Sequence, residues 1–474
     1  MSILFEQKNK ISLSIHLIML TILLLLYFLN LTQITNVTDG ILISVMLILF
    51  LWIYFSAGYI GIEFYHPYRL FLLIFFLYNV GGFVYSLFTG IDFFEITFGY
   101  YSSSLFTKFV HTETLFSILF FIMFIHLGVL IYLQYNEEPF LNLFSWEDST
   151  KYFTAKTGLI LFFISILPAY FYFFTVIKEA FLLGGYQNYA FSETEGTMSL
   201  PFVIRISDDI FKFGFWLYLS TLPVKRKLII PTILYFLPFL LMSFFTGSRV
   251  HAIVPGVTLL TYFAAVKFLN TKNMVVFLVI FVLFSTFVGI LRGTQNYDFE
   301  SVKTIIVEEE NNPIADFFLT QGASAQTISL TIVLIETNKI NYSWRFLVEP
   351  LYSKNGYLPQ KKGDDYFLLS DRLSYYYTGN FESGGGLGSS IVAEFYAIGG
   401  ILGVMFLSFF FGFLLFWLLS KINSPIGFLF FLLLLPGIYF TPRGHPFTSL
   451  IFAEQQIVLL LCFLFFKKLI GNRN

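Results

Sequence analysis

The chain has 474 residues, and only 12% are charged, about half the ~25% usual in soluble domains. Apolar residues make up 57% and aromatics 21%, more apolar surface than a soluble fold can cover. Soluble enzymes, nucleic-acid binders and disordered scaffolds are therefore poor readings, and a net charge of -1 gives no field to recruit a polyion. A lone cysteine, Cys462, leaves no intrachain disulfide and no cysteine-built metal site.

A helical span needs about 20 mostly apolar residues to cross roughly 30 Å of hydrocarbon. On that measure the candidates are 11–30, 40–60, 69–90, 114–135, 157–177 and 201–222, then 229–247, 250–268, 274–291, 390–420, 425–441 and 447–466. The first follows Lys8 and Lys10, ends at Asn30 without a small-residue cleavage pattern, and is expected to be a retained helix. The expected fold is thus an all-α polytopic integral membrane protein with about twelve transmembrane helices. Its three expected parts are a membrane domain at 1–291, a large outer-face loop of short helices and coil at 292–389, and a membrane domain at 390–474.

Orientation follows from the short loops. With a cytoplasmic N-terminus, fourteen basic residues fall inside: Lys8, Lys10, Arg69, Lys151, Lys156, Lys225, Arg226, Lys227, Lys267, Lys272, Lys421, Lys467, Lys468 and Arg473. The short outer connections hold only Lys108, Lys178, Arg249 and Arg443. That bias puts both termini in the cytoplasm.

Ionisable residues inside spans are costly, so each is a default site hypothesis. The sixth span carries Arg205, Asp208, Asp209 and Lys212 on one helical face, each cation within reach of a carboxylate. This stripe is either a self-neutralised structural network or, through Arg205, the lining of a polar cavity opening outward. Arginine is also sorted. Of nine, only Arg69, Arg226 and Arg473 fall inside, whereas Arg205, Arg249, Arg292, Arg345, Arg372 and Arg443 are outer or outward-opening. Arg grips phosphate and carboxylate oxygens with paired donors. Arg249, Arg292 and Arg443 stand at span ends beside glycines, where they could converge on one anionic group or serve as interfacial anchors.

The segment 292–389 combines an amphipathic stretch, Pro313–Asn338, with a polar, tyrosine-rich part from Tyr352 to Phe381. The latter holds Asp364, Asp365, Asp371, Arg372 and the run Tyr375, Tyr376, Tyr377, a mixture that suits sugar rings but also a solvated loop or an interfacial aromatic belt. After the run Gly384-Gly385-Gly386-Leu387-Gly388 comes Glu394, the only charge in the next thirty or so residues. Glu394 should lie at the outer lip, either as a hydrogen-bonded helix-start residue or as part of a polar site. His16, His66, His111 and His126 look scattered, so no metal site is expected.

Three pieces resemble the O-antigen and oligosaccharide repeat-unit polymerases of the Wzy type. They are the turn Phe-Phe-Thr-Gly-Ser-Arg249, the large outer loop before a late span, and the stretch GGLGSSIVAEFYAIGGILGVMFLSFFFG at Gly385–Gly412. The resemblance implies a metal-independent glycosyltransferase, without cofactor, in the bacterial inner membrane. It would join undecaprenyl-diphosphate-linked oligosaccharide repeat units on the periplasmic face, with a separate chain-length regulator as partner. Developing charge on the diphosphate needs preorganised donors, for which Arg249, Arg292, Arg443 and Arg205 are the candidates. The acceptor hydroxyl needs a base, for which Glu394 ranks first, then His251, His445 and Asp371. Tyr375, Tyr376, Tyr377 and Arg372 would meet the glycan. An O-antigen ligase acting on a lipid A core is the nearest alternative. A lipid-linked oligosaccharide flippase is the second, for which matched halves would be expected.

Overall fold

The computed structural model describes all residues except 1, 35–36, 91–92, 95–105, 137–147, 183–201, 294–317, 320, 354–367, 378–386, 421, 423 and 472–474. Asp364, Asp365, Gly384, Gly385, Gly386, Lys421 and Arg473 lie outside the described residues. So do the side chains of Arg205 and Arg292, although both positions are helical. Among the described residues there is no strand.

Among the described residues nine helices are long and apolar enough to cross a membrane, or ten when one bent pair is counted as a single span. That pair is α3 (Pro67–Asn79) and α4 (Gly81–Thr89), bent by 54° where the sequence alone suggests one straight span over 69–90. Two other segments read as spans differ in kind. The helix Phe202–Leu219 carries four charged residues, and Val250–Ala265 is only 16 residues long.

The chain forms two compact units, each assembled from separated stretches. Unit 1 comprises Met1–Leu141, Ala315–Ser420 and Thr441–Phe447. Its centre is α5 (Lys108–Tyr135), buried along most of its length. Around it pack α1 (Ser2–Leu31), α2 (Asp39–Tyr59) and two elements from the second half of the chain. The tightest crossing is with the long helix Ile391–Ser420. There a Cβ added at Gly128 would run into the carbonyl of Phe409, and one at Gly412 into that of Ile125. Backbones meet directly, as small residues permit where lipid supplies no hydrophobic drive.

The second late element is the helix Ser324–Glu336, and it corrects the amphipathic reading of Pro313–Asn338. Nearly every residue from Ser324 to Leu334 is buried, between α5 and the helix Ile391–Ser420. Its hydroxyls are satisfied locally: Thr327 donates to the Ser324 carbonyl, Thr331 to the Thr327 carbonyl, and Ser329 pairs with Thr114 of α5.

Two of the seemingly scattered histidines also meet inside unit 1. His16 and His126 lie edge to face with ring centroids 5.1 Å apart. His126 binds the Ser56 and Tyr68 hydroxyls at 3.1 and 2.8 Å, and Ser12 pairs with Ser56. His16 Nε2 meets the Met123 carbonyl at 2.9 Å, and the whole is a polar knot that fastens α1, α2, α3 and α5. Among the described residues no group of three or more His, Cys, Asp or Glu could hold a metal ion.

Unit 2 comprises Asn142–Ile314, Lys421–Phe440 and Thr448–Asn474. Here α6 (Asp148–Leu182) lies against α7 (Phe202–Leu219), with Gly158 and Gly214 at the crossing, where an added Cβ would run into the Tyr218 and Phe162 amides respectively. The charged stripe of α7 is partly self-neutralised, since Lys212 donates to Asp208 at 2.5 Å. Asp209 instead accepts from Gln456 at 2.7 Å, on the helix Thr448–Gly471. The remaining helices of this unit are α8 (Lys225–Thr246), α9 (Val250–Ala265) and α10 (Thr271–Gly293), followed later by Pro425–Phe440.

Candidate functional site

In unit 1 the remaining elements are α11 (Ser324–Glu336), α12 (Arg345–Ser353), α13 (Leu369–Tyr377) and α14 (Ile391–Ser420). Glu394 sits in the first turn of α14 and is 3% exposed. Gly388, at a left-handed φ of 73°, turns the chain into Ser389 and Ser390. Ser390 accepts from the Val392 amide at 3.3 Å and donates to Asn79 Oδ1 at 2.7 Å, so the helix start is moored to the end of α3. Asn79 in turn donates to the Pro442 carbonyl at 3.0 Å, which brings in the 3₁₀ turn Thr441–Arg443.

The two carboxylate oxygens of Glu394 differ in their surroundings. Its Oε1 accepts from Ser389 at 2.7 Å, as a helix-start residue would. Its Oε2 is buried and has no hydrogen-bond partner among the described residues. A buried acceptor without a partner is costly and uncommon.

Four of the expected site residues, Asp371, Arg372, Arg443 and His445, belong to the same unit as this carboxylate. Asp371, in the first turn of α13, is close enough to interact with Glu394 electrostatically. Burial pushes the Asp371 carboxyl above its usual range, against a weak bond from Ser370 at 3.4 Å. Arg372 lies over the Phe346 ring, its Cζ 5.1 Å from the centroid. Arg443 lies over Tyr78 at 5.7 Å. His445 donates from Nε2 to the Phe346 carbonyl at 2.8 Å and accepts at Nδ1 from the Phe447 amide at 3.1 Å. With both nitrogens given to backbone, His445 is a strut between α12 and the 441–447 segment, which removes it from the list of bases.

Burial lowers the His445 pKa to about 4, partly opposed by the Phe346 carbonyl. The sign follows from the folded value lying below the ordinary 6.5. The unfolded chain then binds more protons between about pH 4 and 6.5. Stability from this group is full above that window and is lost as pH falls through it. His445→Gln, which keeps a donor for Phe346, is expected to flatten the acid limb of thermal stability between pH 4 and 6.5. An unchanged acid limb in a detergent melting series would refute the assignment.

The tyrosine run does not form one platform. Tyr375 is exposed, Tyr376 lies under the Lys339 ammonium at 4.7 Å, and Tyr377 donates to the Leu330 carbonyl of α11 at 3.5 Å. Arg249 and His251 belong to unit 2, at the start of α9, as do the positions Arg205 and Arg292. Gly247, at φ 67°, closes α8 before Arg249, and Ser243 bonds the Ser248 carbonyl at 2.8 Å.

The profile of one family, described as O-antigen polysaccharide polymerase Wzy, matches residues 12–473. The chain belongs to this family. As a Wzy polymerase it is a multi-pass membrane enzyme of polysaccharide synthesis that acts by glycosyl transfer. No curated protein and no solved structure gives a significant match.

Within this Wzy chain, sequence reasoning missed Ser389, Ser390 and Asn79, whose roles arise only from folding. It also missed Glu113, buried in α5 and bonded to Tyr27 and Tyr396. A signal was present, since Glu113 is an acidic residue at the edge of a long apolar run, where any ionisable group invites a site hypothesis.

Proposed function

We propose that the chain joins lipid-diphosphate-linked oligosaccharide repeat units on the outer face of the bacterial inner membrane. The observation that carries this reading is the open, buried Oε2 of Glu394 with Arg443 and Arg372 in the same unit. Its support on sidedness is the inside bias of Lys and Arg in short loops.

The growing glycan on undecaprenyl diphosphate is the donor, and a non-reducing hydroxyl of an incoming lipid-linked unit is the acceptor. Glu394 takes the hydroxyl proton as the oxygen attacks the anomeric carbon. The anomeric C–O bond to diphosphate breaks, and the lipid diphosphate leaves with the electron pair. Arg443 is suited to balance that charge, so the reading calls on no metal. Arg249, Arg292 and Arg205, all in unit 2, are proposed diphosphate ligands on their chemistry alone. Arg372 and Tyr375 are the proposed glycan contacts, and a separate chain-length regulator is the proposed partner.

A deletion strain tests the reading. On a lipopolysaccharide gel it should show core plus a single repeat, with long chains restored by the plasmid-borne gene. Long glycan stranded on undecaprenyl diphosphate would instead mark a ligase and overturn the proposal.

A further inference from the structure

α14 is not one straight span. At Gly399 and Gly400 the backbone leaves the helix, with φ/ψ of −165°/32° and then 61°/−149°. The second pair is a conformation essentially reserved for glycine. The break cuts off a short leading segment, Ile391–Ile398, which carries both Glu394 and Tyr396. The Ala397 carbonyl freed by the break accepts from the Ser343 amide at 3.0 Å, and the neighbouring Tyr342 hydroxyl packs against Gly400.

Glu394 and Tyr396 are two residues apart, so they project about 200° from one another around the helix axis. One faces Ser389, and the other reaches Glu113. Tyr396 donates to Glu113 Oε1 at 3.2 Å, and the same carboxylate accepts from Tyr27 of α1 at 3.3 and 3.2 Å. Glu113 is 6% exposed and rides on α5, which is buried along most of its length.

We propose that Glu113 is a positioning residue for glycosyl transfer: through Tyr396 it sets the rotation of the broken-off segment and thereby the aim of Glu394. The proposal rests on the reading of Glu394 as the base. Any helix with a glycine break at one end can turn about its axis, and a bond on the face opposite the base opposes that turn. The mooring Ser390–Asn79 holds the start of the segment and Ser343–Ala397 holds its end, and the Tyr396–Glu113 bond acts between them on the face away from Glu394.

Tyr27 supplies the internal control, because it bonds the same carboxylate and, among the described residues, makes no hydrogen bond to the segment. If Glu113 were only a buried acid needing donors, loss of either phenol would have the same consequence. The experiment uses the full chain in proteoliposomes with lipid-linked repeat units, comparing Tyr396→Phe, Tyr27→Phe, Glu113→Asp and Glu394→Gln. A displaced base should lower kcat by about ten- to a hundredfold with KM little changed. That fall is expected for Tyr396→Phe and for Glu113→Asp, which withdraws the acceptor by one methylene. Tyr27→Phe should fall at least tenfold less. Equal losses in Tyr396→Phe and Tyr27→Phe, or a loss confined to KM, would overturn the positioning role while Glu394→Gln stays inactive. Wild-type extension by Glu394→Gln would overturn the base itself, and the proposal with it. Should Tyr396→Phe fail to accumulate, Glu113→Asp decides by the same kcat and KM criteria.

Discussion

Glu394→Gln is expected to reach the membrane at wild-type abundance and to slow chain extension at least about a hundredfold. The amide has the same shape as the carboxylate and keeps an oxygen for Ser389, which donates to Oε1 at 2.7 Å. Packing at the start of α14 is therefore preserved. What is lost is the capacity to accept a proton at the second position, the one without a partner. Strains carrying the variant should show core plus one repeat on a lipopolysaccharide gel, and the purified protein should still bind lipid-linked units. A normal ladder would mean that the acceptor proton leaves by another route. Asp371→Asn makes a useful contrast, since Asp371 is near enough to repel Glu394 but is bonded only weakly, to Ser370. Its effect should be several-fold smaller.

The second large effect concerns stability. Gly412→Val should cost at least about 3 kcal/mol, the upper range for overfilling a well-packed site. The added atoms would meet the Ile125 carbonyl, and backbone cannot swing aside as a side chain can. Gly128→Val would meet the Phe409 carbonyl from the other side. Both variants should melt well below wild type in detergent and accumulate poorly. Gly40, where nothing lies within 4 Å of an added Cβ, provides the control. Gly40→Ala should melt within a degree or two of wild type, because it adds helix propensity without a clash. Wild-type melting of Gly412→Val would show that the two helices can part without loss.

How much of this was legible depends on the range over which each cause acts. The long helices were readable because an apolar run of sufficient length decides its own conformation in lipid. Glu394 was readable as a lone charge. The break beside it was not, because its freed carbonyl is satisfied by Ser343, more than fifty positions earlier in the chain. The helix Ser324–Glu336 misled for another reason. Its Ser and Thr residues look solvent-facing, yet their hydroxyls turn back onto carbonyls and onto Thr114, so the whole helix can be buried. His445 looked like a base from its residue type and proved a strut because both its nitrogens meet backbone. Arg443 was expected among the diphosphate ligands and does share a unit with Glu394, whereas Arg249 belongs to the other unit.

The interleaving of unit 1 bears on how the protein is made. The bond between Glu113 and Tyr396 joins residues 283 positions apart. At about 5–20 residues per second of synthesis, α5 waits roughly 15 to 60 s in the bilayer before its late partner emerges from the ribosome. An acid left without partners in the bilayer over that time would be energetically costly. Tyr27, synthesised earlier, already covers it, and Ser56 and Tyr68 do the same for His126. The N-terminal helices thus offer hydrogen-bond partners to Glu113 and His126 before Tyr396 has been synthesised.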